Sequence, residues 1–353
     1  LDIDLVESSI LDDAAMAMAA QGVDSIVHLG ALGSVPRSLA NPARTHEVNA
    51  TGTLKVLEAA RAHGVGHVMC ASSSSVYGMN PALPKHEREW VRPMSPYAVS
   101  KLATEQYTLA YQQSFGLDTI AFRFFNVFGP LQRAGHVYAA VIPIFIDALL
   151  RGEALPVNGD GTQSRDFTFV GTVCRVLLAA AERRVSHPEP VNLAFGTNTT
   201  LLSLIGHLEA VTGRTATVEF RPPRAGDVAH SQADSSVLQG LFPDIAPVPF
   251  DEGLRRIRHE QRGVRRHGAG MSTRPLELEA GVPVADPECR DKTVRVRHLD
   301  AQRAQAAVDD AVSMRVVEGL SQLPHKLEAV VEGEAVVPGS DERVEPLGAL
   351  VDP

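Results

Sequence analysis

The sequence predicts an α/β protein built on a doubly wound parallel sheet. Three observations carry that expectation: apolar runs of strand length recur, helix-patterned segments separate them, and those segments close on glycine. The strand-like runs are "DSIVHLGAL" (24–32), "HVMCAS" (67–72), "DTIAFRFFNVFG" (118–129) and "PVNLAFG" (190–196). Each is apolar along its length rather than alternating, as expected of a strand covered on both faces. Between them lie "NATGTLKVLEAARAHG" (49–64) and "SPYAVSKLATEQYTLAYQQSFG" (95–116), alanine- and leucine-rich with helical spacing and a terminal glycine. In such sheets ligands bind at the carboxyl ends of the strands.

At 353 residues and 44% hydrophobic content the chain has enough apolar material for a sizeable core. A net charge of −9 argues against a phosphate-backbone binder, and nucleic acid is excluded as a partner. No apolar stretch approaches the ~18 residues needed to span a bilayer, and a signal peptide is not recognisable, so no membrane partner is expected. Cys70, Cys174 and Cys289 are far apart and lack metal-ligand spacing. They indicate a reducing, cytoplasmic setting and no metal.

Composition shifts near residue 263. Residues 271–353 hold 16 acidic and 9 basic residues and no tryptophan, tyrosine or phenylalanine. This acidic tail reads as mostly disordered or as a small appended unit, with one helix-like stretch at 301–331. The preceding "RRIRHEQRGVRRHGAG" (255–270) reads as a solvated helix end and linker rather than a nucleic-acid patch.

Residues 71–78 read "ASSSSVYG", directly after an apolar strand. A serine run there belongs to the carboxyl edge of the sheet, not to a linker. Downstream, "SPYAVSK" puts Tyr97 and Lys101 four residues apart on one helical face. An ammonium beside a phenol favours the phenolate, so Tyr97 can serve as a general base. A strand-end serine hydroxyl can donate to a substrate oxygen while bridging to the tyrosine.

The order of strand-end serine followed by Tyr-x-x-x-Lys resembles the extended short-chain dehydrogenase/reductase family, in particular its NAD-dependent nucleotide-sugar epimerases. Seven blocks are similar to the UDP-N-acetylglucosamine 4-epimerases: "ALGSVPRSL" (31–39), "SSSVYG" (73–78), "SPYAVSK" (95–101), "RFFNVFGPLQ" (123–132), "YAAVIP" (138–143), "NGDGTQSRDF" (158–167) and "RAGDVAHSQAD" (224–234). The resemblance implies a Rossmann sheet, an NAD cofactor, a UDP-sugar substrate and a homodimer formed through helices 49–63 and 98–113. It implies Ser73, Tyr97 and Lys101 as catalytic residues. For the cofactor it implies Ile10, Leu29, Gly30, Ala31, Asn49, Ser72, Tyr97 and Lys101. For the substrate it implies Gly33, Ser34, Ser73, Ser75, Asn126, Gln132, Ala140, Arg165, Arg224, Asp227 and Ser231. Arg165 and Arg224 would hold the diphosphate, and Asp227 the ribose hydroxyls. A serine at 231, where glucose-only relatives carry a bulky tyrosine, leaves room for a 2-acetamido group.

The reaction so implied is interconversion of UDP-GlcNAc and UDP-GalNAc, with the non-acetylated pair as weaker substrates. Dehydration is disfavoured, because Ser74, Ser75 and Val76 stand where dehydratases of this family carry an acid and a base. The alternatives are an epimerase of UDP-glucose or a UDP-uronate, and a non-catalytic nucleotide-sugar-binding protein. The second is raised by the front of the chain, which lacks a strand, glycine-rich turn and helix for a dinucleotide pyrophosphate. Against the family's pattern roughly 70 residues precede Leu1, and in "SSILDD" (8–13) Ser9 replaces an aspartate while Ile10 and Asp12 remain. The expected organisation is an N-terminally truncated epimerase domain over 1–262, its cofactor part mainly 1–130 and its substrate lobe mainly 131–262. A linker and low-order tail follow over 263–353. A sheet lacking two central strands would expose open edges, and a truncated gene product or misassigned reading frame is the expectation.

Overall fold

The computed structural model describes residues 3–132, 139–223 and 228–257, and the backbone of 292–296 and 327–331. The first half contains β1 (Ile3–Glu7), α1 (Asp13–Ala20), β2 (Ser25–His28), α2 (Val35–Ala40), α3 (Pro42–His46), α4 (Gly52–Ala62), β3 (His67–Ser73), α5 (Pro96–Phe115) and β4 (Asp118–Phe124). The second contains β5 (Asn126–Phe128), α6 (Val141–Arg151), β6 (Leu155–Asn158), β7 (Ser164–Arg165), β8 (Phe167–Phe169), α7 (Val170–Glu182), β9 (Val191–Leu193), β10 (Thr199–Thr200), α8 (Leu201–Thr212), β11 (Val218–Arg221) and α9 (Ser236–Leu241). Two further strands, β12 (Lys292–Val296) and β13 (Leu327–Val331), come from the tail.

The main sheet has the order β1-β12-β13-β2-β3-β4-β9. From β13 to β9 every pairing is parallel, whereas β12 runs antiparallel to both neighbours. The expected doubly wound sheet is therefore present, with one reversed strand. Two short tail segments, 292–296 and 327–331, are strands, the second lying within the stretch read as helix-like. "KTVRV" and "LEAVV" are rich in β-branched valine and threonine, which suit a pleated strand once a neighbour offers backbone partners. Those partners are the facing edges of β1 and β2. The remainder of the tail, including the helix-like residues 301–326, lies outside the described residues.

Local chemistry explains the elements around the site. Helix α5 starts at Ser95, whose hydroxyl accepts from Ala98 N, continues with Pro96 in its first turn and ends at Gly116 with φ 68°. Strand β3 is buried from His67 to Ser72, its alternate side chains entering different cores. Val68 and Cys70 join Ile10, Val56 and Leu57 beneath α1 and α4, whereas Met69 joins Ile120, Phe122 and Val176 beneath α7. A third core, drawn only from residues between Phe128 and Ile257, gathers α6, α8 and β8 around Phe145, Leu155 and Leu204. Among the described residues no helix is long and apolar enough to cross a membrane.

Candidate active site

The serine run lies at the carboxyl end of β3, as expected. Ser73 ends the strand, and a single 3₁₀ turn over Ser74–Tyr77 follows. Val76 and Tyr77 are buried, and the Tyr77 hydroxyl donates to Asn192 Oδ1 at 2.7 Å, which ties the turn to β9. Gly78 then turns with φ 49°, where an added Cβ would stand 1.8 Å from Arg92 O. Only glycine fits there.

Helix α5 crosses this strand end. Lys101 Nζ donates to Ala71 O at 3.0 Å, and the Lys101 carbonyl lies 3.5 Å from Ser72 Oγ. Of the expected group, Lys101 is thereby fastened to the strand that Ser73 ends. Tyr97 stands one helical turn, about 6 Å, earlier on α5.

Beneath it lies a buried polar network absent from the sequence expectations. Ser72 Oγ donates to Glu105 Oε2 at 2.8 Å, and Arg123 from β4 grips the same carboxylate through two bonds of 2.8 and 2.7 Å. Arg123 also donates to Glu87 O, and its guanidinium lies 4.7 Å from the centroid of the Tyr77 ring. Burial alone would lower the guanidinium pKa, but the bonds and charge of Glu105 outweigh it and the net shift is upward. Burial pushes the Tyr77 phenol up to about 12, so it stays protonated as a donor. Ser72 is thus committed to structure through its side chain. The signal in the sequence is Glu105, four residues beyond Lys101 on the same face, and one arginine inside the apolar run 118–129.

On the other side of the serines the loop after β2 carries Leu29, Gly30, Ala31, Gly33 and Ser34. Asn49 fixes it: its Oδ1 accepts from Leu32 N at 2.6 Å, and its Nδ2 donates to Leu32 O and Ser100 Oγ. Its side chain therefore shapes the cofactor-side loop. Ser34 holds φ 95°, a conformation rarely adopted outside glycine, and its hydroxyl accepts from Arg37 N at the start of α2. Ile10 is fully buried, with Gly52 packed against it.

Tyr97, Lys101 and the 29–34 loop suit the reactive end of a nicotinamide cofactor. No glycine-rich strand–turn–helix occurs among the described residues, so the phosphate end has no visible cradle of backbone donors.

Asn126, Gln132, Ala140 and Arg165, four of the residues expected to meet the substrate, line one cavity of about 230 Å³, together with Phe128, Asn158, Phe167 and Leu201. Gln132 closes its rim, accepting from Gly129 N and donating to Val127 O. Arg165 donates to Ser164 O at 2.8 Å. The adjoining Asp166 clips three segments together, accepting from Gly196 N, Thr197 Oγ1 and Ala233 N at 3.0, 2.8 and 3.0 Å. Burial raises its pKa against those bonds. Ser231 pairs through its backbone with Ser164 O, and Arg224 and Asp227 lie outside the described residues. A larger groove of about 810 Å³ shares Asn158 and Gln163 but contains none of the expected site residues.

A parallel α/β sheet whose carboxyl edge sets a serine beside a Tyr-x-x-x-Lys helix defines a protein of the short-chain dehydrogenase/reductase type. Comparison with known proteins narrows this: the model of the NAD dependent epimerase/dehydratase family matches residues 1–194, and the chain belongs to that family. A UDP-glucose 4-epimerase of Mycolicibacterium smegmatis is 36% identical over 255 residues, covering 72% of this chain and 81% of that protein. A UDP-N-acetylglucosamine 4-epimerase from Methanobrevibacter ruminantium, solved in complex with UDP-N-acetylmuramic acid, superposes with a TM-score of 0.69 at 37% identity, over 72% of this chain and 83% of that one. The UDP-glucose 4-epimerase of Thermotoga maritima, solved with UDP-glucose, gives 0.70 at 32% identity over 74% and 84%.

Proposed function

We propose that the chain is a nucleotide-sugar 4-epimerase whose substrates are UDP-GlcNAc and UDP-GalNAc. The observation that supports this reading is the bond from Lys101 of α5 to Ala71 O near the end of the strand that closes on Ser73, with Tyr97 one turn earlier on that helix, in a chain whose third core borders a cavity with Asn126, Gln132 and Arg165. Tyr97 takes the proton of the sugar 4-hydroxyl, and Lys101, anchored on Ala71 O, favours the phenolate that receives it. Ser73 supplies a hydrogen bond to the same oxygen. NAD, when bound beside Tyr97 and Lys101, would supply reversible hydride chemistry at C4. Gln132 and Arg165 hold the nucleotide sugar while the ring turns. Ser74, Ser75 and Val76 offer no acid to expel a hydroxide, which separates epimerisation from dehydration.

The N-acetyl preference rests on Ser231 and on the likeness to the Methanobrevibacter enzyme. Incubation of the chain with UDP-GlcNAc and NAD is expected to yield UDP-GalNAc, read by chromatography, and Tyr97→Phe should lower kcat by about 10² or more. NAD bound without interconversion of any UDP-hexose would sink the reading. The second reading is a nucleotide-sugar binder without turnover. Calorimetry showing UDP binding without NAD binding would favour it.

A further inference from the structure

We propose that Ser75 is a positioning residue that makes Ser73 an obligate hydrogen-bond donor, an inference that rests on the epimerase reading above. Ser73 Oγ accepts two bonds from residue 75, one from the backbone N–H at 3.2 Å and one from the hydroxyl at 2.9 Å. A serine hydroxyl has two acceptor lone pairs and a single hydrogen. Both lone pairs are thus occupied from within the chain. The hydrogen is what Ser73 has left to offer a ligand.

The first of these bonds is an ordinary turn cap: Ser73 precedes the turn 74–77 and its side chain accepts from Ser75 N. The cap fixes where the oxygen sits but leaves one lone pair open. An open lone pair could accept the proton of the sugar hydroxyl or of Tyr97, and Ser73 would then present the wrong partner to an oxygen that gathers negative charge. The Ser75 hydroxyl closes that option. It is held in place because the turn cannot swing: Val76 and Tyr77 beside it are 0% and 2% exposed, and Tyr77 is tied to Asn192.

Two consequences follow for the chemistry. Ser73 donates to the 4-oxygen through both the alkoxide-like and the ketone stages, where a preorganised donor contributes most. The substrate proton has one destination, Tyr97, so the serine does not lie on the proton path. Ser75 then acts through Ser73 and does not itself touch the sugar, in contrast to the direct contact expected from the family resemblance.

The test is a double-mutant cycle on the full chain. Ser75→Ala should lower kcat up to about tenfold, the worth of one neutral hydrogen bond, with KM for UDP-GlcNAc unchanged. Ser73→Ala should cost about 10² to 10³, and Ser73→Ala/Ser75→Ala should be no worse than Ser73→Ala alone. Ser75→Thr keeps the hydroxyl and should restore kcat. Calorimetry supplies a readout without turnover: Ser75→Ala should leave the Kd for UDP-GlcNAc within twofold. Additive losses in the double variant, or weakened UDP-GlcNAc binding by Ser75→Ala in the Ser73→Ala background, would overturn the proposal and leave the epimerase reading standing. A wild-type chain that neither binds nor turns over any UDP-hexose would end the functional reading, and the role of Ser75 in it.

Discussion

His28 ends β2 one residue before the cofactor-side loop, and it is buried with its Nε2 3.0 Å from Thr53 Oγ1. Thr53 directs its own hydrogen to Asn49 O at 2.6 Å, so we assign the ring proton to Nε2. Nδ1 is then a bare acceptor with no partner among the described residues. Burial, reinforced by the charge of Lys101, pushes its pKa down to about 3 from 6.5. Between those values the unfolded chain binds a proton that the folded chain refuses, so stability rises with pH through this window and is lost on acidification. The slope from this group is at most about 1.4 kcal/mol per pH unit. Urea unfolding of wild type and His28→Gln at a series of pH values between 3 and 6.5 is expected to show this slope in the wild type only. An unchanged slope in the variant would remove His28 as its cause. The site serines were legible at this scale as residue types in order, but the direction of each hydroxyl was not. Ser72 turns down to Glu105 and Ser75 sideways to Ser73, a choice made by groups 33 residues away in one case and by a buried turn in the other.

At the scale of elements, caps and periodicity placed α5 within a residue, because Ser95, Pro96 and Gly116 act on their own neighbours. What α5 is bolted to was less visible. Its fastening to β3 and β4 runs through Glu105 and Arg123, whose side chains are 0% and 4% exposed. Removing one partner leaves the other charge buried and unpaired, which typically costs ~3–5 kcal/mol. Glu105→Leu is therefore expected to lower unfolding stability by about that amount, while Glu105→Leu/Arg123→Met should recover part of it. Equal stabilities of the single and double variants in urea would show that the uncompensated charge is not the source of the loss. The same distinction explains the misread tail elements. "KTVRV" and "LEAVV" have strand-compatible residues, yet five residues in an acidic segment without tryptophan, tyrosine or phenylalanine form a strand only where a sheet edge receives them.

At the scale of the whole molecule the decisive feature is the centre of the sheet. The expected gap between β1 and β2 is filled by β12 and β13, which pair residue by residue with Ile3–Glu7 and Ser25–His28. Unpaired edges at that position would present backbone donors and acceptors to other chains. A chain ending at residue 262 is accordingly expected to unfold at lower urea concentration and to aggregate, measured by light scattering. Unchanged urea midpoint and scattering would show that the tail strands do not support the sheet. The seven blocks shared with nucleotide-sugar epimerases were readable directly, and they led to the family that comparison established. By itself the sequence determined the alternating α/β plan and the family, since each rests on short blocks whose residues are close together along the chain. Only the tertiary structure decided which strands adjoin β1 and β2, that Arg123 lies beneath Ser72 and Tyr77, and that Ser73 Oγ accepts from residue 75. Those outcomes depend on burial and on pairing between distant segments, where a polar group's partner is set by what the fold brings within reach.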